Sequence, residues 1–374
     1  MRKVTLGEVA REHKEVCREN RSSYPIVGLE HLTPEDVNLT AWSEDAENTF
    51  TKMFRKGNVL FGRRRAYLKK AAQAPFDGIC SGDITVIEAI PGKIEPELLP
   101  FVIQNDQLFD FAVEKSAGSL SPRVKWEHLK NYTFNLPELA EQKKLADLLW
   151  AMDAAKQAYQ RLLQKTDELV KSQFIEMFGD PQNYGSENTI SLGEISEMVS
   201  GGTPSSKHPE YFDGDMPFVS TPFLGANYIT EKDVTNRISE EGIRNSSTHK
   251  IPAYSLLFGN RVGVGKSSIN TCEVCTNQDV LSFTNIDPKQ YDLLFIKKIL
   301  DQRQEFFDSQ KRGATIKGIP SDLVKKTKIP LIPLETQRTF VGIVQQSDKS
   351  KFELERAISE LDATYKRIIS ENLG

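Results

Sequence analysis

The chain has 374 residues, 39% of them hydrophobic and 27% charged, with 48 Lys and Arg against 52 Asp and Glu for a net charge of −4. That length holds two domains with cores of normal size, and the overall charge gives no global attraction to a polyanion. No apolar run approaches a membrane span, and the opening Met1-Arg2-Lys3-Val4-Thr5 lacks a signal-peptide core, so a cytoplasmic protein with no membrane role is expected. Cysteine usage agrees: Cys17 and Cys80 stand alone, and Cys272 and Cys275 form one C-x-x-C with no second pair or nearby histidine, so no metal is expected.

In chain order, the first globular part is expected over residues 1–135 and opens Val4-Thr5-Leu6-Gly7-Glu8-Val9. From Asn48 to Phe76 there is no Asp or Glu, but there are Lys52, Arg55, Lys56, Arg63, Arg64, Arg65, Lys69 and Lys70. Inside that window Val59-Leu60-Phe61-Gly62 reads as a short strand running into a glycine turn. A β-like run at 84–87 and a helical pattern near 97–114 follow. A second acid-free window, Lys115 to Trp126, carries Lys115, Arg123 and Lys125.

The next segment, 136–179, reads as one long helix. Its apolar ladder is Leu145, Leu148, Met152, Ala155, Tyr159, Leu162, Thr166, Leu169, Gln173, with the 3-4 spacing of a coiled-coil seam. Gly179, Asp180 and Pro181 stop it near Phe178. A helix of 35–40 residues is roughly 55 Å long and needs a partner to bury its seam.

The second half repeats the first. Its ladder, Phe340, Ile343, Ser347, Ser350, Leu354, Ala357, Leu361, Thr364, Ile368, lies 195 positions on from the first, in the same register. Gly118 falls on Gly313, Lys130 on Lys325, Gln142 on Gln337, Asp153 on Asp348 and Lys156 on Lys351. The second domain is therefore expected over 180–330, with 180–189 as linker, and the second helix over 331–374. Ile190-Ser191-Leu192-Gly193-Glu194-Ile195 matches the opening of the first copy, and Leu256-Leu257-Phe258-Gly259 matches its strand-and-turn. The acid-free windows recur as Gly242 to Cys272, with Arg244, Lys250, Arg261 and Lys266, and as Ser309 to Ser321, with Lys311, Arg312 and Lys317. Both copies read as mixed α/β units with many short strands, an α+β chain in which the other copy's helix is the obvious seam partner. Acid-free basic windows in a chain this rich in carboxylates mark where a polyanion lies.

Catalytic motifs do not stand out. Gly259 to Ser268 (GNRVGVGKSS) resembles a phosphate loop, but Asn260 occupies the position of its first glycine and the continuation is strand-like. No G-x-G-x-x-G and no Asn/Asp-Pro-Pro-aromatic motif is present, and His13, His31, His128, His208 and His249 are scattered. Glu8 and Glu194 sit in the repeated Leu-Gly-Glu, which reads as a scaffold element rather than an acid.

The order globular unit, long helix, globular unit, long helix resembles the specificity subunit of type I restriction-modification systems. Ile329-Pro330-Leu331-Ile332-Pro333-Leu334-Glu335-Thr336-Gln337 looks like the family's proline-rich lead-in to a helix, and Ile190 to Ser220, with Ser200-Gly201-Gly202-Thr203-Pro204, looks like the start of a target-recognition domain. The first copy differs, having only Pro137 before Glu138-Leu139-Ala140-Glu141-Gln142 and no such Ser-Gly-Gly-Thr-Pro. The resemblance implies two target-recognition domains, each reading half of a split DNA sequence, and two helices packed as an antiparallel coiled coil that sets the gap. It further implies that two methyltransferase subunits dock on the chain, carrying the S-adenosylmethionine and the flipped-base chemistry, and that motor-nuclease subunits can join. The chain itself would bind no cofactor and would not be an enzyme. The DNA-binding residues expected are Arg63, Arg64, Arg65, Lys69, Lys70, Arg123, Lys125, Gly202, Thr203, Arg261, Lys266, Lys311, Arg312 and Lys317.

Two other readings stay open at this level. One is a DNA methyltransferase or nuclease with unrecognised motifs, and the other is a coiled-coil scaffold with two protein-binding heads. Salt-dependent binding to a duplex separates the scaffold from the others, and activity of the purified chain with a labelled methyl donor separates the enzyme.

Overall fold

The computed structural model describes residues 1–18, 21–44, 49–118, 120–313 and 317–374. Asn48 and short stretches of both later basic windows, at 119 and 314–316, lie outside the described residues. By packing, the chain forms two compact units, Met1–Leu162 with Leu354–Gly374, and Leu163–Glu353. Each unit is one globular part with a segment of each long helix, so the packing boundary falls inside the helices rather than where the composition changes. The helices themselves run Leu139–Phe178 and Leu334–Leu373. At the first helix end Gly179 takes φ +78°, a turn that a side chain would strain. Among the described residues no helix is long and apolar enough to cross a membrane.

In the first unit a four-stranded sheet runs Ala10–Glu12, Ile84–Ala89, Val59–Gly62, Ala71–Gln73. Beside it lies a three-stranded sheet, Ile26–Val27, Gly78–Cys80, Lys52–Phe54. Val59–Gly62 is buried along its whole length, as an all-apolar central strand should be. A separate pair, Arg2–Thr5 with Thr133–Leu136, brings the start of the globular part to its end. The second unit repeats this plan: Glu197–Ser200, Val280–Thr284, Leu256–Gly259 and Ser267–Asn270 in one sheet, and Met216–Val219, Val274–Thr276 and Lys250–Ile251 in the other. Two pairings that are single bridges in the first unit, Asn38 with Gln73 and Ile26 with Ser43, lengthen here into the edge strands Tyr228–Ile229 and Arg237–Ile238.

The repeated Leu-Gly-Glu is a capping box in both copies. Glu8 Oε2 accepts from the Thr5 N–H at 2.6 Å, and Glu194 Oε2 from the Ser191 N–H at 2.8 Å. The helical pattern near 97–114 breaks into Leu99–Ile103 and Asp106–Glu114, because Asn105 caps the second piece by accepting from Gln107 N. In the second copy the equivalent segment is likewise two helices, Leu293–Gln302 and Gln304–Ser309, parted at Arg303.

Within each unit the two helix segments run antiparallel. In the first, Leu145 and Leu148 share a cavity wall with Ile368 and Asn372, while Met152 and Lys156 face Leu361 and Tyr365. In the second, Phe174 meets Phe340 at 5.3 Å between ring centres, and Asp167 meets Lys351. The buried stripe follows the heptad ladder only in part: Phe340 is buried and Met152, Tyr159, Leu361 and Ile368 are half-buried, but other ladder positions are open. Leu148 and Leu162 are each 48% exposed and Leu169 is 55% exposed, whereas Ala146, Leu149, Phe174, Val344, Ile369 and Leu373 are buried. The reason lies in the globular parts. Each helix segment must cover the core of the unit it lies in as well as the helix segment beside it, so the apolar stripe is shared between two surfaces and partly rotated away from a pure two-helix seam.

Candidate nucleic-acid interface

The hairpin between Val59–Gly62 and Ala71–Gln73 carries the first cluster of expected residues, at 63–70. Its base is closed by the Gly62 N–H to Lys70 O, 2.8 Å. The second basic window folds as a loop closed by reciprocal hydrogen bonds between Ala117 and Arg123, 3.0 and 3.1 Å. The fold lays these two windows side by side: Arg65 N–H donates to Pro122 O at 2.9 Å and Val124 N–H to Arg63 O at 3.0 Å. Segments about sixty residues apart in sequence thus form one surface.

One carboxylate sits under that surface. Asp83 accepts from Arg123 Nε at 2.7 Å and lies 3.4 Å from the Arg64 guanidinium, while its backbone oxygen accepts from the Arg63 N–H. The Arg123 hydrogen bond and charge, and then Arg64, hold the Asp83 carboxyl below the ordinary aspartate range, against the opposing effect of burial. Both arginine side chains remain about two-fifths open to solvent. Asp83 therefore orders two guanidiniums and neutralises one charge, leaving a net positive face.

The other first-copy residues divide. Arg65 is exposed and begins the turn with φ +54°, and Lys125 is exposed just before a short helix. Lys69, also at positive φ, turns back to Asp106 at 2.5 Å and Glu35 at 3.6 Å, and these carboxylates, Asp106 first, raise its pKa. Lys70 donates to Leu29 O at 2.7 Å. Arg63 is half-buried, with its Nε enclosed.

The second copy repeats the arrangement with different side chains. Gly259 to Ser268 is a hairpin turn between Leu256–Gly259 and Ser267–Asn270, closed by Gly259 N–H to Lys266 O at 2.8 Å. No helix follows it, so it has no phosphate-loop geometry. Asn260 takes the place of Arg63: its N–H donates to Asp279 O and its carbonyl accepts from Ile319 N–H. Arg312 and Gly318 close the second loop by reciprocal hydrogen bonds. Asp279 takes the place of Asp83 and lies 3.8 Å from Arg261. Arg261, Lys266, Arg312 and Lys317 are exposed, while Lys311 is held by Asp308.

Gly202 is buried against Ser247 and Thr248 where a side chain has no room, and its N–H donates to Thr276 O at 2.9 Å. Its place is to let the chain pass close. Thr203, exposed beside it, bonds Gln278, next to Asp279. The structure thereby brings Thr203, Gln278, Asp279 and Arg261 to one edge. Sequence reasoning missed Asp83, Asp279 and Gln278, although an aspartate immediately before each matched strand, Asp83-Ile84 and Asp279-Val280, was a usable signal.

Among the described residues no group of three or more His, Cys, Asp and Glu is placed to hold a metal ion. Cys80 and Cys275 lie inside on equivalent strands, where burial pushes their thiols up to about 12 and about 11. Buried thiols of that kind are inert rather than nucleophilic.

A repeated α/β unit with a clasped arginine loop surface, joined to long charged helices, defines a duplicated recognition protein. A family described as the type I restriction modification DNA specificity domain matches residues 2–166 and again residues 186–361, and the chain belongs to that family. It is 28% identical over 162 residues, 42% of this chain and 37% of the relative, to the type I restriction enzyme MjaIX specificity subunit of Methanocaldococcus jannaschii. It is also 28% identical over 167 residues, 42% of this chain and 40% of the relative, to the EcoR124I/EcoR124II specificity subunit of Escherichia coli. The chain thus spans about two-fifths of the length of these curated relatives in the matched regions. A solved chain from work on complex assembly and conformational transition of the type I R-M system superposes with a TM-score of 0.65 at 21% identity, over 99% of this chain and 97% of that one, which shows a shared fold.

Proposed function

We propose that this chain reads a bipartite DNA sequence, each unit contacting one half-site through its paired basic loops, while the long helices set the spacer. The observation that carries this reading is the double convergence: two acid-free windows, remote in sequence, lie hydrogen-bonded side by side in one copy and recur in the other with the same backbone pattern. Backbone phosphates take up the open guanidiniums and ammoniums and give affinity and register. Base edges are read by side chains such as Thr203, Gln278 and the arginines. Loops that differ between copies on a common scaffold give different half-sites.

In this reading the chain is a non-catalytic cytoplasmic subunit. Two methyltransferase subunits dock on it and carry S-adenosylmethionine, and motor-nuclease subunits join to give restriction. Membership of the family and the likeness to two specificity subunits support it.

The test is to map methylated adenines genome-wide in a host with and without the chain, and with residues 190–328 replaced by the matching unit of a relative. The expected result is a split motif that vanishes with the chain and changes in one half only in the chimaera. A chain-independent methylation pattern, or a chimaera that changes both halves, overturns the reading.

A further inference from the structure

In both units one asparagine ties the globular part to a long helix at an equivalent place. Asn38 Nδ2 donates to Asp153 Oδ2 at 2.7 Å, and Asn227 Nδ2 donates to Asp348 Oδ2 at 2.5 Å. Asp153 and Asp348 are one repeat apart, 195 positions. The asparagines lie on the same strand edge, one register position apart: the acceptor from the hairpin strand is Val37, just before Asn38, in the first copy and Asn227 itself in the second. Asn38 bridges Gln73 in parallel, with Gln73 N–H donating to Val37 O at 2.8 Å. Asn227 O accepts from Ile269 N–H at 3.0 Å, just before the strand Tyr228–Ile229 that runs parallel to Ser267–Asn270.

Those partner strands, Ala71–Gln73 and Ser267–Asn270, are the ones that leave the basic hairpin turns, a few residues beyond the closures at Lys70 and Lys266. A short path therefore runs from a helix carboxylate, through one amide, across one strand pairing, to the base of a basic loop. It exists in both copies although the two loops share little sequence. Each aspartate also stands beside a lysine that pairs with the other helix, Lys156 with Asp362 and Lys351 with Asp167. Asp153 is half-buried and is held by two amide donors, Asn38 and Gln157. A partly desolvated carboxylate fixes its partners more firmly than an exposed one.

We propose that Asn38–Asp153 and Asn227–Asp348 are positioning pins, each locking the basic hairpin of its unit against the helix and so fixing where along a duplex that hairpin reads. The proposal rests on the reading that each unit contacts DNA. The pins are positioning residues: they touch no base, and they act on spacer discrimination rather than on half-site sequence.

The interaction has a polarity that can be reversed, which gives a clean test. In the host complex, Asn227→Asp sets two carboxylates against each other, Asn227→Ala removes the donor without adding charge, and Asn227→Asp with Asp348→Asn restores an amide–carboxylate pair with roles exchanged. Methylated motifs are mapped genome-wide for each, and thermal stability of the purified chain is measured alongside. Both single variants are expected to keep the two half-site sequences but to raise modification at spacers one base pair longer and shorter by roughly tenfold, the size set by losing one hydrogen bond to a charged group. The double variant is expected to restore a single spacer. Uniform loss of methylation at all sites with no new spacing, or failure of the double variant to restore the single spacer, overturns the proposal and leaves the asparagines as stability residues only. A wild-type motif that persists without the chain overturns the DNA reading itself, a result separable from the others because it needs no variant.

Discussion

Lys156 Nζ lies 2.7 Å from Asp362 Oδ1, and one repeat further on the same two residue types meet again with the helices exchanged, as Lys351 and Asp167 at 2.5 Å. A duplication that preserves an antiparallel ion pair preserves the pairing of the two helices as well. Each pair alone is weak, because all four side chains keep part of their surface in water. Its value is register.

Register is testable by charge exchange. Lys156→Asp places a third acid beside Asp362 and the half-buried Asp153, and is expected to lower the melting temperature of the first unit by a few degrees, about 1 kcal/mol. Adding Asp362→Lys is expected to recover most of that stability. Thermal unfolding of the single and double variants measures the coupling.

Gln142 and Gln337 form a second repeated feature. Gln142 Oε1 accepts from the Glu95 N–H at 2.8 Å and its Nε2 donates to Pro137 O; Gln337 accepts from the Asp292 N–H at 2.9 Å and donates to Gln290 O and Ile332 O. Both are buried. Gln337→Ala strands buried backbone groups and is expected to cost about 1–3 kcal/mol, read as a lowered denaturation midpoint with an unchanged slope.

Among the first-copy cations, exposure separates two effects. Arg65→Ala and Lys125→Ala are expected to weaken binding to every duplex alike and to reduce the salt slope by about 0.9 for each phosphate that is no longer neutralised. Lys69→Ala is expected to act chiefly through folding, since Lys69 is spent on Asp106 and Glu35. Binding titrations across a salt series, with melting curves beside them, distinguish the classes.

Asp83 gives a pH dependence with a definite sign. Its folded pKa is depressed by Arg123 and then Arg64, so the clasp contributes stability above the ordinary aspartate pKa and loses it as pH falls through the lower folded value. A carboxyl-carbon NMR titration is expected to place the Asp83 midpoint below that of exposed aspartates. Arg123→Ala is expected to move it upward.

The repeat, the long helices and the four basic windows were legible because they are local: spacing, composition and matched residues such as Gln142 and Gln337 carry them. The phase of the buried stripe was legible only in part. Leu148 looks like a seam residue, yet Leu149 is the one covered, since a helix pattern does not say how many surfaces it must serve. The direction of a lysine was equally hidden. Lys69 and Lys70 belong to the right window by charge, but their partners Asp106 and Leu29 O come from distant segments. The joining of the windows depends on backbone bonds such as Arg65 to Pro122, which no side-chain pattern announces.

The split packing of the first unit bears on how the chain is made. Its core includes Ile369 and Leu373, and its last segment begins at Leu354, so a ribosome that has finished Leu162 has not yet synthesised what that core packs against. All of Leu163–Glu353 must be translated first, a delay on the order of 10–40 s at 5–20 residues per second. During that interval the nascent first unit holds Phe101 without Tyr365, which packs edge-on against it, and its core without Ile369 and Leu373, whereas the second unit is contiguous. The half synthesised first is the half that finishes folding last.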